Sequence, residues 1–444
     1  MIMPKLRTLL AAAVAALPLP ALAMVEIQEV TSPGGITAWL VEEHSIPFVA
    51  FDIRFDGGAN LEDPAKRGAT NLMMATLEEG AGERDARAFA EAVEGLAAGF
   101  GFRAYNDGVS VTASVLSENR DEALALLRDA MVAPRFDDAA VSRVRDQVLA
   151  NLASDASDPA SIANETASAL AFPDHPYGSD SDGTPETVGA LTPDDLRAAH
   201  RTALARDEVY VGVTGDITAA ELGPILDRLL GDLPLREGED VADASYAAEG
   251  GVTVVPFPSP QSVVVFGHEG LPRDDPDFFP AFVLNEVMGG RGFGSRLMEE
   301  VRVRRGLTYG IGTSLIPWDH AAVLMGQFSS SNDKAAEAVA IVRDEWGRMA
   351  REGVSETELA EAKTYLTGAY PLRFDGNANI AGILAGMQSE GYPIDYIETR
   401  NAEIEAVTRD DVARVAARLL RPDALHFVVV GEPDGLESGP VPEG

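Results

Sequence analysis

The chain has 444 residues, of which 46% are hydrophobic and 24% charged, which is the composition of a folded protein with roughly two to four domains. Its 35 Lys and Arg are outnumbered by 71 Asp and Glu, and the net charge of −36 argues against nucleic-acid binding, which needs clustered basic residues. The absence of cysteine excludes disulfides, thiol catalysis and cysteine-ligated zinc.

The N-terminal segment has the pattern of a secretory signal peptide. Lys5 and Arg7 form a short basic region, and the apolar run 9–23 ends in Ala-Leu-Ala, a small-x-small cleavage pattern. This run is too short to span a bilayer, and no later segment has enough consecutive apolar residues to do so. We therefore expect a signal peptide over residues 1–23, no transmembrane segment and a periplasmic mature protein.

Strands and helices alternate along the rest of the first half. In residues 49–55, apolar side chains at every second position predict a half-buried strand, and the same alternation recurs over 109–115. Further strands are expected over 36–41 and 209–214. The helices are expected over residues 64–79, 85–96, 138–155 and 160–171, before a loop rich in Gly, Pro, Ser and Asp over 173–192.

The second half repeats this plan. Residues 191–215 align without gaps on residues 407–431, and both copies read as a capped helix, a turn and a buried strand. We infer an internal duplication and an α+β fold with two homologous, α/β-sandwich-like halves. The expected organisation is a signal peptide over 1–23, halves over 24–235 and 252–435, a polar linker over 236–251 and a tail over 436–444.

A search for catalytic motifs in the sequence is largely negative. None of the common zinc-helix patterns is present, and no two of the six histidines lie within five residues of each other. A helical zinc site needs two imidazoles on one face, so the chain cannot build one locally. The glycine-rich run 289–294 precedes an amphipathic segment, and taken alone it is either a flexible turn or an anion-binding loop.

Two stretches resemble the insulinase/pitrilysin-type zinc metallopeptidases. Residues 289–314, reading GGRGFGSRLMEEVRVRRGLTYGIGTS, are similar to that family's glycine-rich turn, Ser-Arg-Leu, charged helix and Gly-Leu-x-Tyr. The His-Pro-Tyr-Gly run at 175–178 resembles part of the N-terminal half of the same family. The two-fold repeat is also typical of the family, so the resemblance covers essentially the whole mature chain.

The resemblance implies that the zinc motif is degenerate here. The family carries His-x-x-Glu-His on a helix, and the matching positions hold Asn71, Met74 and Ala75. The downstream zinc-binding glutamate is expected near Ala150 or Asn151, where no carboxylate stands. Ala75 has no lone pair, Met74 cannot take a proton from water, and Asn71 is a weak neutral ligand. We therefore expect no metal in this chain.

The other part of such a site is present. The family places an Arg and a Tyr seven residues apart in its C-terminal half, and Arg302 and Tyr309 match this spacing. A tyrosine hydroxyl can donate to a developing oxyanion, and an arginine can hold a substrate carbonyl or carboxylate. Without the resemblance, Arg302 reads as a surface charge and Tyr309 as a half-buried strand residue. The resemblance also gives the glycine-rich turn a role in substrate binding, through Gly289, Gly290, Gly292, Phe293 and Gly294.

These features lead to a hypothesis of shared catalysis. Two-subunit members of the family assemble one site from a zinc-bearing chain and a chain that supplies Arg and Tyr. We expect this chain to be the non-zinc subunit of a periplasmic heterodimeric peptidase, inactive alone, with zinc in a His-x-x-Glu-His partner and a peptide as substrate. The alternatives are a catalytically inert structural or peptide-binding homologue and a hydrolase with an unrecognised site. No histidine or serine spacing supports the latter.

Overall fold

The computed structural model describes residues 26–236 and 241–439, and it places them in two α/β halves. The predicted signal peptide lies outside the described residues. So do part of the predicted linker and the end of the predicted tail.

The first half is built on a six-stranded sheet. Its strands are β1 (Gln28–Thr31), β2 (Thr37–Glu42), β3 (Phe48–Asp56), β6 (Gly99–Ala104), β7 (Gly108–Leu116) and β8 (Val209–Gly215), and a short hairpin joins β4 (Gly80–Ala81) to β5 (Arg84–Asp85). The sheet order is β1-β2-β8-β3-β7-β6. Strands β2 and β8 run parallel, and the other neighbours pair antiparallel.

The helices of the first half pack mainly on one face of this sheet. They are α1 (Ala69–Thr76), α2 (Ala86–Gly95), α3 (Arg120–Val132), α4 (Asp138–Asp155), α5 (Pro159–Ala171), α6 (Pro185–Ala190), α7 (Pro193–Ala203) and α8 (Ala219–Leu230). The alternating apolar residues of β3 enter the core on this face, as the sequence pattern predicts.

The second half has the same topology with five strands. They are β9 (Gly251–Pro256), β10 (Gln261–Glu269), β11 (Ile311–Pro317), β12 (Ala322–Ser331) and β13 (His426–Gly431), in the order β11-β12-β10-β13-β9. The helices are α9 (Phe278–Asn285), α10 (Ala335–Glu352), α11 (Glu356–Ala369), α12 (Asn377–Ser389), α13 (Tyr396–Ala406) and α14 (Arg409–Leu419). Strand β13 runs parallel to β9 and antiparallel to β10, as β8 does to β2 and β3. The predicted α+β fold with two homologous halves is confirmed.

The internal repeat extends to the helix caps. Helix α7 begins with a capping box in which Thr192 and Asp195 exchange side-chain-to-backbone hydrogen bonds. Helix α14 begins in the same way with Thr408 and Asp411. Each cap satisfies backbone N–H groups that the helix itself leaves unpaired and contributes about 1 kcal/mol.

Each half contributes one helix that packs on the sheet of the other half. Helix α12 of the second half packs on β8 and β3 of the first sheet, and α5 of the first half packs on β10 and β13 of the second. At the first contact, a side chain on Gly212 would overlap the carbonyl oxygen of Ala381. The backbones of β8 and α12 therefore touch, and neither half forms its outer layer without the other.

The His-Pro-Tyr-Gly run forms a second connection between the halves. The Tyr177 hydroxyl donates to Asp107 Oδ1 at 2.6 Å and accepts from the backbone N of His320 at 3.1 Å. Its ring lies 5.0 Å from that of Trp318. Trp318 and His320 belong to the turn between β11 and β12, so Tyr177 fastens this hairpin to the first half.

One predicted helix differs from the structure, and two segments near the glycine-rich run contain π-helical turns. The helix expected over 64–79 is a 3-10 turn at Pro64–Lys66 followed by α1, because Arg67 is extended and Gly68 has φ of +93°. Helix α9 ends in a π-helical turn over Glu286–Gly290, and the charged segment beyond it contains a second one over Met298–Val303. Such turns are rare and cannot be recognised from apolar periodicity.

We expect Gly212→Ala to destabilise the fold by about 1–3 kcal/mol, because the added methyl group forces α12 away from β8. Gly189→Ala is the matched control, since a methyl group there meets no atom within 4 Å. Urea unfolding followed by circular dichroism measures both variants. Equal midpoints for Gly212→Ala and the unsubstituted chain would contradict the close contact.

Candidate active-site region

The helix that matches the zinc motif is present in the structure, but it carries core and neutral side chains. On α1, Met74 is buried, Asn71 is half-buried and Ala75 is exposed. Asn151 lies on the neighbouring helix α4, where its Oδ1 accepts a hydrogen bond from Gln147 Nε2 at 3.0 Å. No hydrogen bond joins Asn71 to Asn151 within the described part of the chain.

This set of side chains does not fit a zinc ion. A hydrolytic zinc site needs three protein ligands, mostly imidazole or carboxylate groups, and a base beside the bound water. Two neutral amides, one methyl group and a buried thioether offer neither the ligands nor the base. Over residues 26–236 and 241–439, no group of three or more His, Cys, Asp and Glu could hold a metal ion.

The position of α1 is nevertheless firmly fixed by a buried ion pair. Glu62 accepts hydrogen bonds from the backbone N of Gly68 at 3.0 Å and of Thr70 at 2.5 Å, and lies 3.6 Å from Arg67. Burial raises the pKa of Glu62, and these hydrogen bonds oppose the rise. Arg67 also donates to backbone carbonyls of residues 176–180. The sequence analysis missed this pair, because no motif marks it.

The glycine-rich run is a structured turn that packs against β11. A Cβ on Gly289 would lie 2.5 Å from Thr313 Oγ1, so only glycine fits at this point. Thr313 Oγ1 donates to Asn285 Oδ1 at 2.7 Å, and Asn285 Nδ2 donates to the Thr313 carbonyl at 3.4 Å. Gly290 follows on the surface at the end of the π-helical turn.

The tip of the turn is held by its own side chains. Arg291 Nε donates to the Gly294 carbonyl at 2.8 Å, and Ser295 Oγ donates to the Gly292 carbonyl at 2.7 Å. Gly292 has φ of +65°, which disfavours any residue with a side chain. Phe293, at the tip, is 67% exposed. These hydrogen bonds hold the glycine-rich run as an ordered turn. Its interpretation as an anion-binding loop stays a prediction.

Arg302 lies against this tip. Its guanidinium is 4.4 Å from the centroid of the Phe293 ring, within the range of a cation–π contact. Within the segment that carries Arg302, Glu300 pairs with Arg304 at 2.9 Å and Arg305 at 2.6 Å, and it lies 3.6 Å from Arg348 of α10. The structure therefore brings two of the predicted site residues together.

Tyr309 precedes β11 and points its side chain outward. It is 80% exposed, and its hydroxyl has no hydrogen-bond partner among the described residues. The backbone around it is fixed by Thr308, whose Oγ1 accepts from the backbone N of Gly310 at 3.1 Å and shares its one hydrogen between the carbonyls of Gly310 at 2.8 Å and Ser329 at 2.7 Å. Without the family resemblance, the sequence predicts that Tyr309 is a half-buried strand residue. Its side chain is more exposed than that prediction implies. Thr308 is a supporting residue that the sequence analysis missed.

The two groups of predicted site residues remain separate. In the described residues, no hydrogen bond, ion pair or ring contact links Asn71, Ala75 or Asn151 to Arg302 or Tyr309. One copy of the chain thus presents a helix without metal ligands in its first half. Its second half presents exposed Phe293 and Tyr309, with half-buried Arg302 against the Phe293 ring.

Two family models match this chain. The one described as "Insulinase (Peptidase family M16)" matches residues 38–184, and the one described as "Peptidase M16 inactive domain" matches residues 190–366. A protein of Helicobacter pylori described as a non-peptidase homolog is 26% identical over 84% of this chain and 86% of its own length. An uncharacterised zinc protease of Streptomyces coelicolor is 24% identical over 89% of this chain and 87% of its own length.

Solved structures show the same architecture. A crystal structure described as a peptidase M16 inactive domain from Pseudomonas fluorescens superposes with a TM-score of 0.86 and 27% identity, covering 94% of this chain and all of that one. A protease from Helicobacter pylori gives a TM-score of 0.82 at 15% identity, which supports the fold alone. In the described residues, none of the helices combines the length and apolar character needed to cross a membrane.

The ion pair between Arg296 and Glu358 holds the segment after the glycine-rich turn. We expect this pair to make the stability of the fold sensitive to acid. Burial acts to raise the pKa of Glu358, but Arg296, with contacts of 2.5 and 2.9 Å, and Ser355 lower it from 4.5 to about 2. The stabilisation is thus complete above pH 4.5 and is lost as the pH falls towards 2. In this window we expect the unfolding midpoint in urea to fall less steeply for Glu358→Gln than for the unsubstituted chain. Parallel curves would contradict this assignment.

Proposed function

Because this chain belongs to the insulinase-like M16 peptidase family and lacks the residues of the family's zinc motif, we propose that it is the non-zinc subunit of a periplasmic heterodimeric zinc peptidase. The observation that carries the proposal is the set formed by exposed Phe293, half-buried Arg302 against its ring, and exposed Tyr309 seven residues further on. This group stands on a rigid backbone and lacks a complementary set of catalytic residues within the described chain.

The chemistry of this group suits a shared peptide-hydrolysis site. The Tyr309 hydroxyl is free to donate a hydrogen bond to the oxyanion that develops on a scissile carbonyl. The Arg302 guanidinium can hold a neighbouring peptide carbonyl or a carboxylate in a two-pronged contact. The glycine-rich turn, with Phe293 at its tip, offers an apolar surface beside the peptide. Each of these functions acts on substrate and needs no metal in this chain.

The proposal assigns the missing half of the site to a partner. That partner is a homologous subunit with His-x-x-Glu-His, which holds the zinc ion and the general base. The export of this chain to the periplasm rests on the signal-peptide pattern of residues 1–23, and a partner that shares its site must be exported as well. The substrate class is a peptide, which is bound in an extended conformation between the two subunits.

A second candidate function is an inert structural or peptide-binding homologue. The observation that favours it is the likeness to a relative described as a non-peptidase homolog and to a structure described as an inactive domain. This alternative also explains the degenerate α1. It gives no reason for Tyr309 to stand exposed beside a backbone fixed by Thr308.

The test of the proposed function is a reconstitution. The mature chain, its zinc-bearing homologue and their mixture are each assayed for cleavage of a fluorogenic peptide. We expect activity in the mixture and little or none in either chain alone. Equal activity of the zinc-bearing homologue alone would remove any catalytic role from this chain and favour the inert alternative.

Substitutions in the reconstituted mixture test the individual residues. We expect Tyr309→Phe and Arg302→Ala to lower kcat by roughly 10²–10³, because each removes a group that stabilises the transition state. Tyr365→Phe and Arg87→Ala change an exposed tyrosine and an exposed arginine elsewhere and serve as matched controls. Unchanged kcat in Tyr309→Phe and Arg302→Ala would reduce both residues to surface side chains.

A further inference from the structure

A cavity of about 760 Å³ lies between the two halves. Strand β3 and helix α12 form one wall, while α9, β11 and α13 form the other. It adjoins a second cavity of about 570 Å³, and Asp52, Arg54 and Arg273 line both. The volume of the first cavity is in the range of small-molecule sites in proteins.

The charge of this cavity is opposite to that of the protein. Four arginines line it, against two acidic residues, in a chain whose net charge is −36. Arg54 is paired with Asp52 at 3.2 Å, and Arg273 with Glu390 at 3.0 Å. The remaining two arginines, Arg373 and Arg400, form no ion pair with any described residue. The uncompensated charge of the cavity therefore comes from them.

Arg400 is the unusual member of this set. Only 6% of it is exposed, and its guanidinium stacks 4.2 Å from the centroid of the Tyr370 ring. Nη1 donates to the carbonyl of Leu366 and to Asn401 Oδ1, both at 3.2 Å, while Nε and Nη2 have no hydrogen-bond partner among the described residues. Neither of these nitrogens is among the fully enclosed polar atoms that lack a partner, so both are open to the cavity that Arg400 lines, where an anion can reach them.

The carboxyl group of Glu286 does not act as a hydrogen-bonded partner of Arg400. It is buried, and no ion pair within 4 Å joins it to Arg400 among the described residues. Burial raises the pKa of Glu286, and the charges of Arg291 and Arg400 oppose this rise only from a distance. The free nitrogens of Arg400 are thus left for an anion that enters the cavity.

The walls of the cavity are aromatic. Phe278 and Phe282 stack along α9, and Tyr392 and Tyr396 stack with ring centroids 3.9 Å apart. Arg273 lies between them, 5.6 Å from the Phe278 centroid and 5.2 Å from the Tyr392 centroid. A bare inorganic anion makes no use of these rings. An anion attached to an apolar body contacts both the guanidinium groups and the rings.

We propose that the cavity between the halves binds a carboxylate carried on an aromatic or aliphatic body, such as the C-terminal residue of a peptide. The planar fork of Arg400 matches a carboxylate, and Arg373 adds a second positive charge at the cavity wall. The rings of α9 and of Tyr392 and Tyr396 contact the apolar body. The site lies wholly within one chain, so it does not depend on the proposed heterodimer.

The test is a calorimetric titration of the purified mature chain with four probes. They are N-acetyl-Ala-Phe with a free carboxylate, its C-terminal amide, 3-phenylpropionate and inorganic phosphate. We expect the free acid to bind about tenfold or more tightly than the amide, because the amide lacks the charge that pairs with Arg400. Binding of 3-phenylpropionate as tightly as the peptide acid supports the site and assigns it to free acids. An equally tight amide, equally tight phosphate or no binding of the acid would overturn the proposal.

Variants locate the binding in this cavity. We expect Arg400→Gln to weaken the free acid about tenfold. Arg343→Gln, which removes another guanidinium stacked on a ring, Phe427, is the matched control and should bind normally. If Arg400→Gln does not fold, the exposed Arg373→Gln replaces it, with an expected loss of about threefold. An unchanged affinity in Arg373→Gln, or in a folded Arg400→Gln, would overturn the proposal.

Discussion

The contact between Gly212 of β8 and the Ala381 carbonyl of α12 fixes how the two halves of this protein sit together. Strand β2 buries apolar side chains on both faces of its sheet, with Leu40 in the core of the first half and Trp39 and Val41 against α12. Each sheet therefore obtains part of its cover from a helix of the other half. The close backbone approach leaves no room for a side chain. The cavity between the halves and the docking of the β11–β12 hairpin on Tyr177 both follow from this arrangement.

The structure retains the contacts that position the helix and the turn of the candidate site, but α1 lacks the side chains that metal chemistry needs. Glu62 and Arg67 hold α1 in the first half, although α1 carries neither metal ligands nor a base. In the second half, the hydrogen bonds of Arg291, Ser295 and Thr308 hold a turn and a strand end whose side chains point outward. An ordered backbone beside exposed Phe293 and Tyr309 and half-buried Arg302 is the arrangement expected of a surface that acts on something outside the chain.

Much of the fold follows from local sequence patterns. The alternation in β3 and the threonine caps of α7 and α14 depend on residues a few positions apart, and these predictions are confirmed. The exchange of α5 and α12 could not be predicted, because an apolar helix face does not specify which sheet it covers. The break before α1 depends on the positive φ of Gly68, and the π-helical turns depend on contacts with β11.

The two candidate sites, the one with Arg302 and Tyr309 and the arginine-lined cavity, also differ in how much of each the sequence predicts. Arg302 and Tyr309 are predicted site residues because one short segment resembles the insulinase-like family, whereas the exposure of Tyr309 and the contact of Arg302 with Phe293 required the structure. The arginine cavity draws on β3, α9 and α13, which are far apart in the sequence, so no linear motif marks it. Its signal is spatial, a buried guanidinium without a carboxylate partner in an acidic protein.

The central claim is that this chain cannot bind and use a catalytic metal by itself. The most direct measurement is the zinc content of the purified mature chain after incubation with zinc and desalting, determined by elemental mass spectrometry, with peptide cleavage assayed on the same sample. We expect far less than one zinc per chain and no cleavage. Stoichiometric, tightly held zinc together with cleavage that a chelator abolishes would contradict the account.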